Sequence, residues 1–165
     1  VKPVNIAEEL LEKAKAQGSI LGLERIKALL KEMGDPQDKL RTVHISGTNG
    51  KGSFSAMLGK VLCKAGYTVG SFSSPAITSV TDQFRINGEE IKYEELCGIL
   101  CDIAPVWESL AEKPTEFEVL TAAAFELFIR RKCNIVLVEC GMGGRPGFHQ
   151  RYCFSPAVCY NQRSA

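Results

Sequence analysis

Residues 42–72 constrain the fold of this chain more than any other stretch. Thr42-Val43-His44-Ile45 is short and rich in β-branched residues, so it reads as a strand. A glycine-rich turn follows, from Gly47 to Ser53. Beyond it Phe54, Met57, Leu58, Val61, Leu62 and Ala65 recur at helical spacing up to Gly66. Tyr67-Thr68-Val69-Gly70-Ser71-Phe72 then reads as a second strand. Strand, glycine-rich loop, helix, strand is a βαβ unit, which implies a parallel sheet with a right-handed crossover. The fold class expected is α/β.

The turn itself, Ser46-Gly47-Thr48-Asn49-Gly50-Lys51-Gly52-Ser53, carries the sharpest chemistry in the chain. A glycine-rich turn between a strand and a helix aims several backbone N–H groups at one point, and the helix N-terminus adds about half a positive charge there. A lysine in such a loop reaches terminal phosphates, and a hydroxyl just beyond it can meet Mg²⁺. The spacing departs from the usual G-x-x-x-x-G-K-[ST]. Gly47 is too close to Gly50, and Gly52 separates Lys51 from Ser53. An ordinary βα turn is the bland alternative, and the strand–loop–helix context weighs against it.

The other segments support the same class. Residues 5–16 and 22–33 read as helices, the second stopped by Gly34-Asp35-Pro36. Residues 73–82 are polar, contain Pro75 and read as a loop, and Phe84–Gly88 reads as a small strand ending in a turn. Residues 93–111 are helical in spacing, with Pro105 expected to kink or divide them. Residues 115–131 form a more regular helix, and Ile135–Val138 is a continuous apolar run, as expected of a strand buried on both faces. After Arg145 there is no clear period and at best a poor strand around Ala157-Val158-Cys159.

Composition narrows the function classes. The 165 residues suit about one domain, and 45% hydrophobic with 24% charged residues is a globular balance. Lys+Arg is 20 against Asp+Glu 19, a net charge of +1 that offers no broad field to nucleic acid. No run approaches the ~18 apolar residues of a membrane span, and the start, VKPVNIAEELLEK, does not resemble a signal peptide. The seven cysteines contain no CxxC pair, and neither His44 nor His149 has ligand spacing to one, so reduced cytoplasmic thiols are expected rather than zinc.

Four further places hold candidate chemistry. Ser74, ahead of Pro75, is a turn residue or a site hydroxyl. Glu139 ends a buried strand, and the C-terminal edge of a parallel sheet is where ligands bind. Glu116 and Glu118 begin a helix, where favouring the helix dipole is as good an account as contact with a ligand. Asp82 and Arg85 lie in the polar connection before the small strand and in that strand.

GTNGKGS resembles the ATP loop of the Mur ligase superfamily, and the glycine after the lysine resembles its folate branch, folylpolyglutamate synthase/dihydrofolate synthase. LGLERIKALL with GDPQDKL, GYTVGSFSSPAI, FRINGEEI, PTEFEVLTAAAF and VLVECGMGGR resemble further blocks of that family in the right order, so the resemblance runs over residues 21–145. It implies that residues 1–145 form a partial N-terminal ATP-binding domain, a P-loop parallel sheet with flanking helices. Residues 146–165 would be a divergent tail and not a domain. It implies that Gly47, Thr48, Asn49, Gly50, Lys51, Gly52 and Ser53 hold ATP, that Ser53, Ser74 and Glu139 hold Mg²⁺, and that Lys51 and Glu139 are catalytic. Where the family often has a histidine after Ser-Pro, Ala76 stands here.

The reaction implied is an ATP-dependent addition of L-glutamate to a folate or dihydropteroate through an acyl phosphate. The implied partners are these small molecules, with no nucleic acid and no membrane, and the implied protein is a cytoplasmic monomer. A nucleotide-binding fragment without catalysis and another Mur-type amide ligase remain open as alternatives. The family pattern continues beyond Arg145 with D-[AS]-T-N and a V-I strand, whereas Pro146-Gly147-Phe148-His149-Gln150 stands here. Codons for Pro146 to Arg163 read from their second base allow D-S-T-N-V-I and then S-V-I-T-N, which suggests a frameshift near Arg145. With later strands lost, the backbone groups of Ile135–Val138 are expected at an unpaired edge.

Overall fold

The structure, a computed structural model, describes residues 3–20, 22–47, 49–139 and 158–162, the last five as backbone. Its elements are α1 (Pro3–Ala16), α2 (Glu24–Glu32), β1 (Thr42–Gly47), α3 (Lys51–Lys64), β2 (Val69–Phe72), β3 (Phe84–Ile86), β4 (Glu89–Glu90), α4 (Tyr93–Ser109), α5 (Glu116–Arg130), β5 (Ile135–Glu139) and β6 (Val158–Gln162). They group into two units, one from residues 1–37 and 92–127, the other from residues 38–91 and 128–165. The fold is mixed α/β with a mostly parallel sheet, as expected.

The first unit is helical. Ala7, Leu10 and Ala14 lie on one stripe of α1, all buried, and α1 packs on α4. Leu96, Ile99, Leu100, Ile103 and Trp107 supply the buried face of α4. Pro105 does not divide that helix, which continues to Ser109. Packing on the apolar stripe outweighs the one backbone donor that proline removes. The end of α4 is tied down: the Trp107 indole N–H donates to the Pro114 carbonyl at 2.9 Å, and the Lys113 ammonium donates to the Trp107 and Glu108 carbonyls. A cation there also complements the helix dipole.

The second unit carries the sheet, in the order β4-β3-β2-β5-β1-β6. β2, β5, β1 and β6 run parallel, and β3 and β4 add antiparallel strands at one side. The crossover from β1 through α3 therefore skips a strand, because β5 lies between β1 and β2. This corrects the expectation of an unpaired edge at Ile135–Val138. β5 is hydrogen-bonded on both sides, to Thr42–Ile45 of β1 and to Val69–Phe72 of β2. A continuous apolar run belongs in such an interior position. The outer side of β1 is taken by β6, with Val43 opposite Val158 and Gly47 opposite Gln162, so the weak tail strand forms and extends past Cys159.

Ile45, Val69 and Leu137 form the core of this unit, and Phe54, Leu58 and Leu62 of α3 pack on it. Each side chain of this size stabilises by about 1.5–3 kcal/mol when fully buried. Met57 and Val61, on the same helical pattern, are exposed instead. The apolar stripe of α3 is wider than the surface it covers. On β2, Gly70 lies against the ring of Phe128, where a Cβ would overlap the ring. That approach is what glycine permits there.

Among the described residues no helix is long and apolar enough to cross a membrane. Thr48, and the stretch from Cys140 to Ala157 with its Gly-Gly-Arg and Pro146–Gln150 segments, lie outside the described residues.

Candidate functional site

The turn between β1 and α3 is built around Gly50. Its φ of 76° is left-handed, the conformation in which a Cβ is costly, and it stands immediately before the first helical residue, Lys51. The first helical bond runs from the Phe54 amide to the Gly50 carbonyl at 2.9 Å. Lys51, Gly52 and Ser53 are therefore the first turn of α3 and not part of the loop that the glycines suggested. Their amides belong to the four at a helix start that have no partner within the helix. Those donors, with the dipole, suit an anion.

Gly52 has no packing reason to be glycine. A Cβ built there meets nothing within 4 Å among the described residues, and its φ is not left-handed. Glycine in a helix costs about 1 kcal/mol against alanine. Open space in front of a helix N-terminus is the cradle that a close-lying phosphate needs.

Lys51 and Glu139 come together here. The Lys51 ammonium donates to the Gly47 carbonyl at 2.8 Å and lies 3.9 Å from Glu139 Oε1. Both side chains are largely buried, 12% and 13% exposed. Burial pushes the Glu139 carboxyl above its ordinary range, and the Lys51 charge opposes that shift. The register explains the meeting. Ile45 of β1 is opposite Glu139, and Phe72 of β2 is opposite Val138, so β1, β5 and β2 end at one edge of the sheet. That is the carboxyl edge of the parallel strands.

The other expected site residues are placed less closely. Ser53 is exposed in the first turn of α3, and Ser74 is half-buried two residues beyond β2, before a cis bond to Pro75. Among the described residues neither hydroxyl is hydrogen-bonded to the Lys51–Glu139 pair. Asn49 is exposed. Glu118 is accounted for structurally. Its carboxylate accepts the Thr115 amide at 2.8 Å, the Thr115 hydroxyl at 2.9 Å and Arg25 Nε at 3.3 Å. Thr115-x-x-Glu118 is a capping box, a signal present in the sequence. Arg85 donates to the Gly88 carbonyl inside the β3–β4 turn. Asp82 holds its own loop together, a role the sequence reading missed although Ser79-x-x-Asp82 has the same capping spacing.

Among the described residues no three His, Cys, Asp or Glu side chains cluster tightly enough to hold a metal ion. One buried carboxylate and two hydroxyls are hard oxygen donors that suit Mg²⁺, which takes one or two carboxylates and completes its shell with water and phosphate oxygens. The residues present therefore fit a cation that arrives with a phosphate ligand.

No family model matches the chain. The dihydrofolate synthetase of Saccharomyces cerevisiae is 42% identical over 125 residues, which is 76% of this chain and 29% of the yeast protein. The dihydrofolate synthase/folylpolyglutamate synthase of Bacillus subtilis is 42% identical over 129 residues, 75% of this chain and 30% of that protein. Among solved structures, Mycobacterium tuberculosis folylpolyglutamate synthase complexed with ADP superposes with a TM-score of 0.75 at 28% identity, over 87% of this chain and 34% of that one. A bifunctional folylpolyglutamate synthase/dihydrofolate synthase with Mn, AMPPNP and L-glutamate bound gives a TM-score of 0.75 at 32% identity, over 87% of this chain and 34% of that one. The chain thus spans about 30% of the length of the curated relatives it matches. Its homologues are folylpolyglutamate and dihydrofolate synthases, and it shares the mostly parallel α/β architecture of the N-terminal part of the solved folylpolyglutamate synthases.

Proposed function

We propose that this chain is the ATP-binding part of a ligase that adds L-glutamate to a folate or dihydropteroate. The observation that carries the reading is the Lys51 ammonium, held beside Glu139 at the start of α3 and at the carboxyl edge of the sheet. Relatives with dihydrofolate synthase and folylpolyglutamate synthase activities, and a neighbour holding Mn, AMPPNP and L-glutamate, support it.

In this reading the amides of residues 47–53 receive the phosphates of ATP, and Gly50 and Gly52 keep side chains out of their way. Lys51 moves from the Gly47 carbonyl onto the terminal phosphates. Ser53, Ser74 and Glu139 would hold Mg²⁺, which would supply positive charge to offset that of the phosphates. Lys51 offsets the charge that develops as the γ-phosphoryl group passes to the substrate carboxylate. The amino group of glutamate then displaces phosphate from the acyl phosphate, forming the amide. Residues 1–145 are the domain's share of this work, and the tail from Pro146 is a shifted reading of the family's next block. DNA sequence across Arg145 tests that last point, since absence of D-S-T-N-V-I codons in the second frame rules it out.

Catalysis requires ATP, acid and amine held together, which the phosphate loop alone does not do. The 165-residue span is therefore expected to bind nucleotide without ligating. The full-length, in-frame protein, incubated with ATP, Mg²⁺, glutamate and either dihydropteroate or tetrahydrofolate, is expected to release phosphate only when the pteroate-type acid is present. Release with an unrelated acid would favour another Mur-type amide ligase.

A further inference from the structure

The connection between β2 and β3 is closed at two levels. At its base the Ser73 amide donates to the Gln83 carbonyl at 3.0 Å, and Phe72 pairs with Phe84. Farther out, one carboxylate gathers the loop. Asp82 Oδ2 accepts the amides of Ile77 at 3.0 Å, Thr78 at 2.7 Å and Ser79 at 3.2 Å, and the Thr78 hydroxyl at 3.1 Å. The backbone amide of Thr78 first, then the other donors, hold the Asp82 carboxyl below its ordinary range, so it is ionised at neutral pH.

Burial does not account for this conformation. Ile77 is 90% exposed, and Thr78 and Ser79 are exposed as well. Among the described residues it is the charged hydrogen bonds to Asp82, and not apolar packing, that hold residues 77–79. Between the two closures lie only Ser74, Pro75 and Ala76, and the ring of Pro75 fixes one more torsion. Ser74 is thereby confined from both sides, at the same sheet edge as Lys51 and Glu139. The hydroxyls of Ser79 and Thr81 reach Glu90 on β4, so the far end of the connection has its own anchor.

We propose that Asp82 is a positioning residue, which presets the Ser74 segment so that the Ser74 hydroxyl meets the nucleotide-bound cation without a further ordering cost. The proposal rests on the reading of Ser74 as a Mg²⁺ ligand. Preorganisation of this kind improves binding by removing entropy that would otherwise be lost on association.

The test measures affinity for a non-hydrolysable ATP analogue, with Mg²⁺ and with EDTA, in the 165-residue chain. The variants are Ser74→Ala, Asp82→Ala, Asp82→Asn and the Ser74→Ala/Asp82→Ala double. Hydrogen exchange at the amides of residues 77–79 is followed in parallel. Asp82→Ala is expected to weaken Mg²⁺-supported binding about tenfold, the scale of a lost charge-assisted hydrogen bond, and to leave binding in EDTA unchanged. It should speed exchange at residues 77–79 and add nothing to Ser74→Ala. Asp82→Asn keeps the side-chain shape and should show the same pattern more weakly. Equal losses with and without Mg²⁺, or losses additive with Ser74→Ala, would show a merely structural role and overturn the proposal. Mg²⁺-supported binding lost in Ser74→Ala but intact in both Asp82 variants would overturn the positioning role alone. No Mg²⁺-supported binding in the parent chain would overturn the functional reading, and this proposal with it.

Discussion

Lys51 and Glu139 face each other at 3.9 Å, with their side chains largely buried. A buried carboxylate of this kind is costly to ionise, and its partner only partly offsets the cost. Glu139→Gln removes the charge and keeps the shape. The relieved desolvation and the lost attraction to Lys51 act in opposite directions, and Lys51 retains its bond to Gly47. Little change in melting temperature is expected, together with weaker Mg²⁺-dependent nucleotide binding. Large destabilisation with normal Mg²⁺ dependence would mean that Glu139 serves the fold instead.

Gly52→Ala separates folding from binding. The added methyl meets no described neighbour, and alanine is the better helix former. Thermal unfolding should show stability unchanged or raised by up to about 1 kcal/mol. Nucleotide titration should show a marked loss of affinity, because the methyl occupies the space in front of the first turn of α3. Unchanged affinity would remove Gly52 from the site.

Gly70→Ala should do the reverse. A Cβ there collides with the Phe128 ring, which is fully buried. Overpacking of this kind costs about 1–3 kcal/mol. Chemical denaturation should show that loss, and Gly70→Ala/Phe128→Leu should recover part of it. Wild-type stability in the single variant would show that β2 and α5 have room to separate.

Acid should destabilise the chain from the side of His44 before the carboxylates matter. Burial holds the His44 imidazole below its ordinary value of 6.5. The unfolded chain then binds the proton more tightly, so stability falls as pH drops below about 6.5 and levels off below the folded value. The Glu139 carboxyl, shifted upward, contributes with the opposite sign, and Asp82, shifted downward, loses its contribution only below its ordinary value of 3.8. Melting temperatures of the parent and His44→Gln between pH 7.5 and 5.5 isolate the His44 part. The parent should lose more over that interval, whereas parallel curves would mean that His44 does not titrate differently on folding.

Much of this was legible in the sequence because periods and turn chemistry are local. The switch from β-branched residues to helical spacing around Gly47–Ser53 marked β1, α3 and β2, and Gly34-Asp35-Pro36 marked the end of α2. Strand order was not legible, since insertion of β5 between β1 and β2 depends on which apolar strand wins the interior position. Nor was the width of the α3 stripe informative, because Met57 and Val61 carry the same period as Leu58 but are exposed. Within the site, Lys51 and Glu139 could each be named from motif and strand end. Their meeting depends on register between strands far apart in the chain. Arg25 and Glu118 show the same limit, a buried pair 93 residues apart whose capping half alone is visible in the sequence.

The central claim is that the turn from β1 into α3 binds nucleotide phosphates through Lys51. Titration of the 165-residue chain with ATP and Mg²⁺, for the parent and for Lys51→Ala, tests it most directly. Loss of the only charged side chain among residues 46–53 should weaken binding by about 1–3 kcal/mol, the range of a charge-assisted hydrogen bond, without unfolding the chain. Equal affinity in the two proteins, with both folded, would contradict the account.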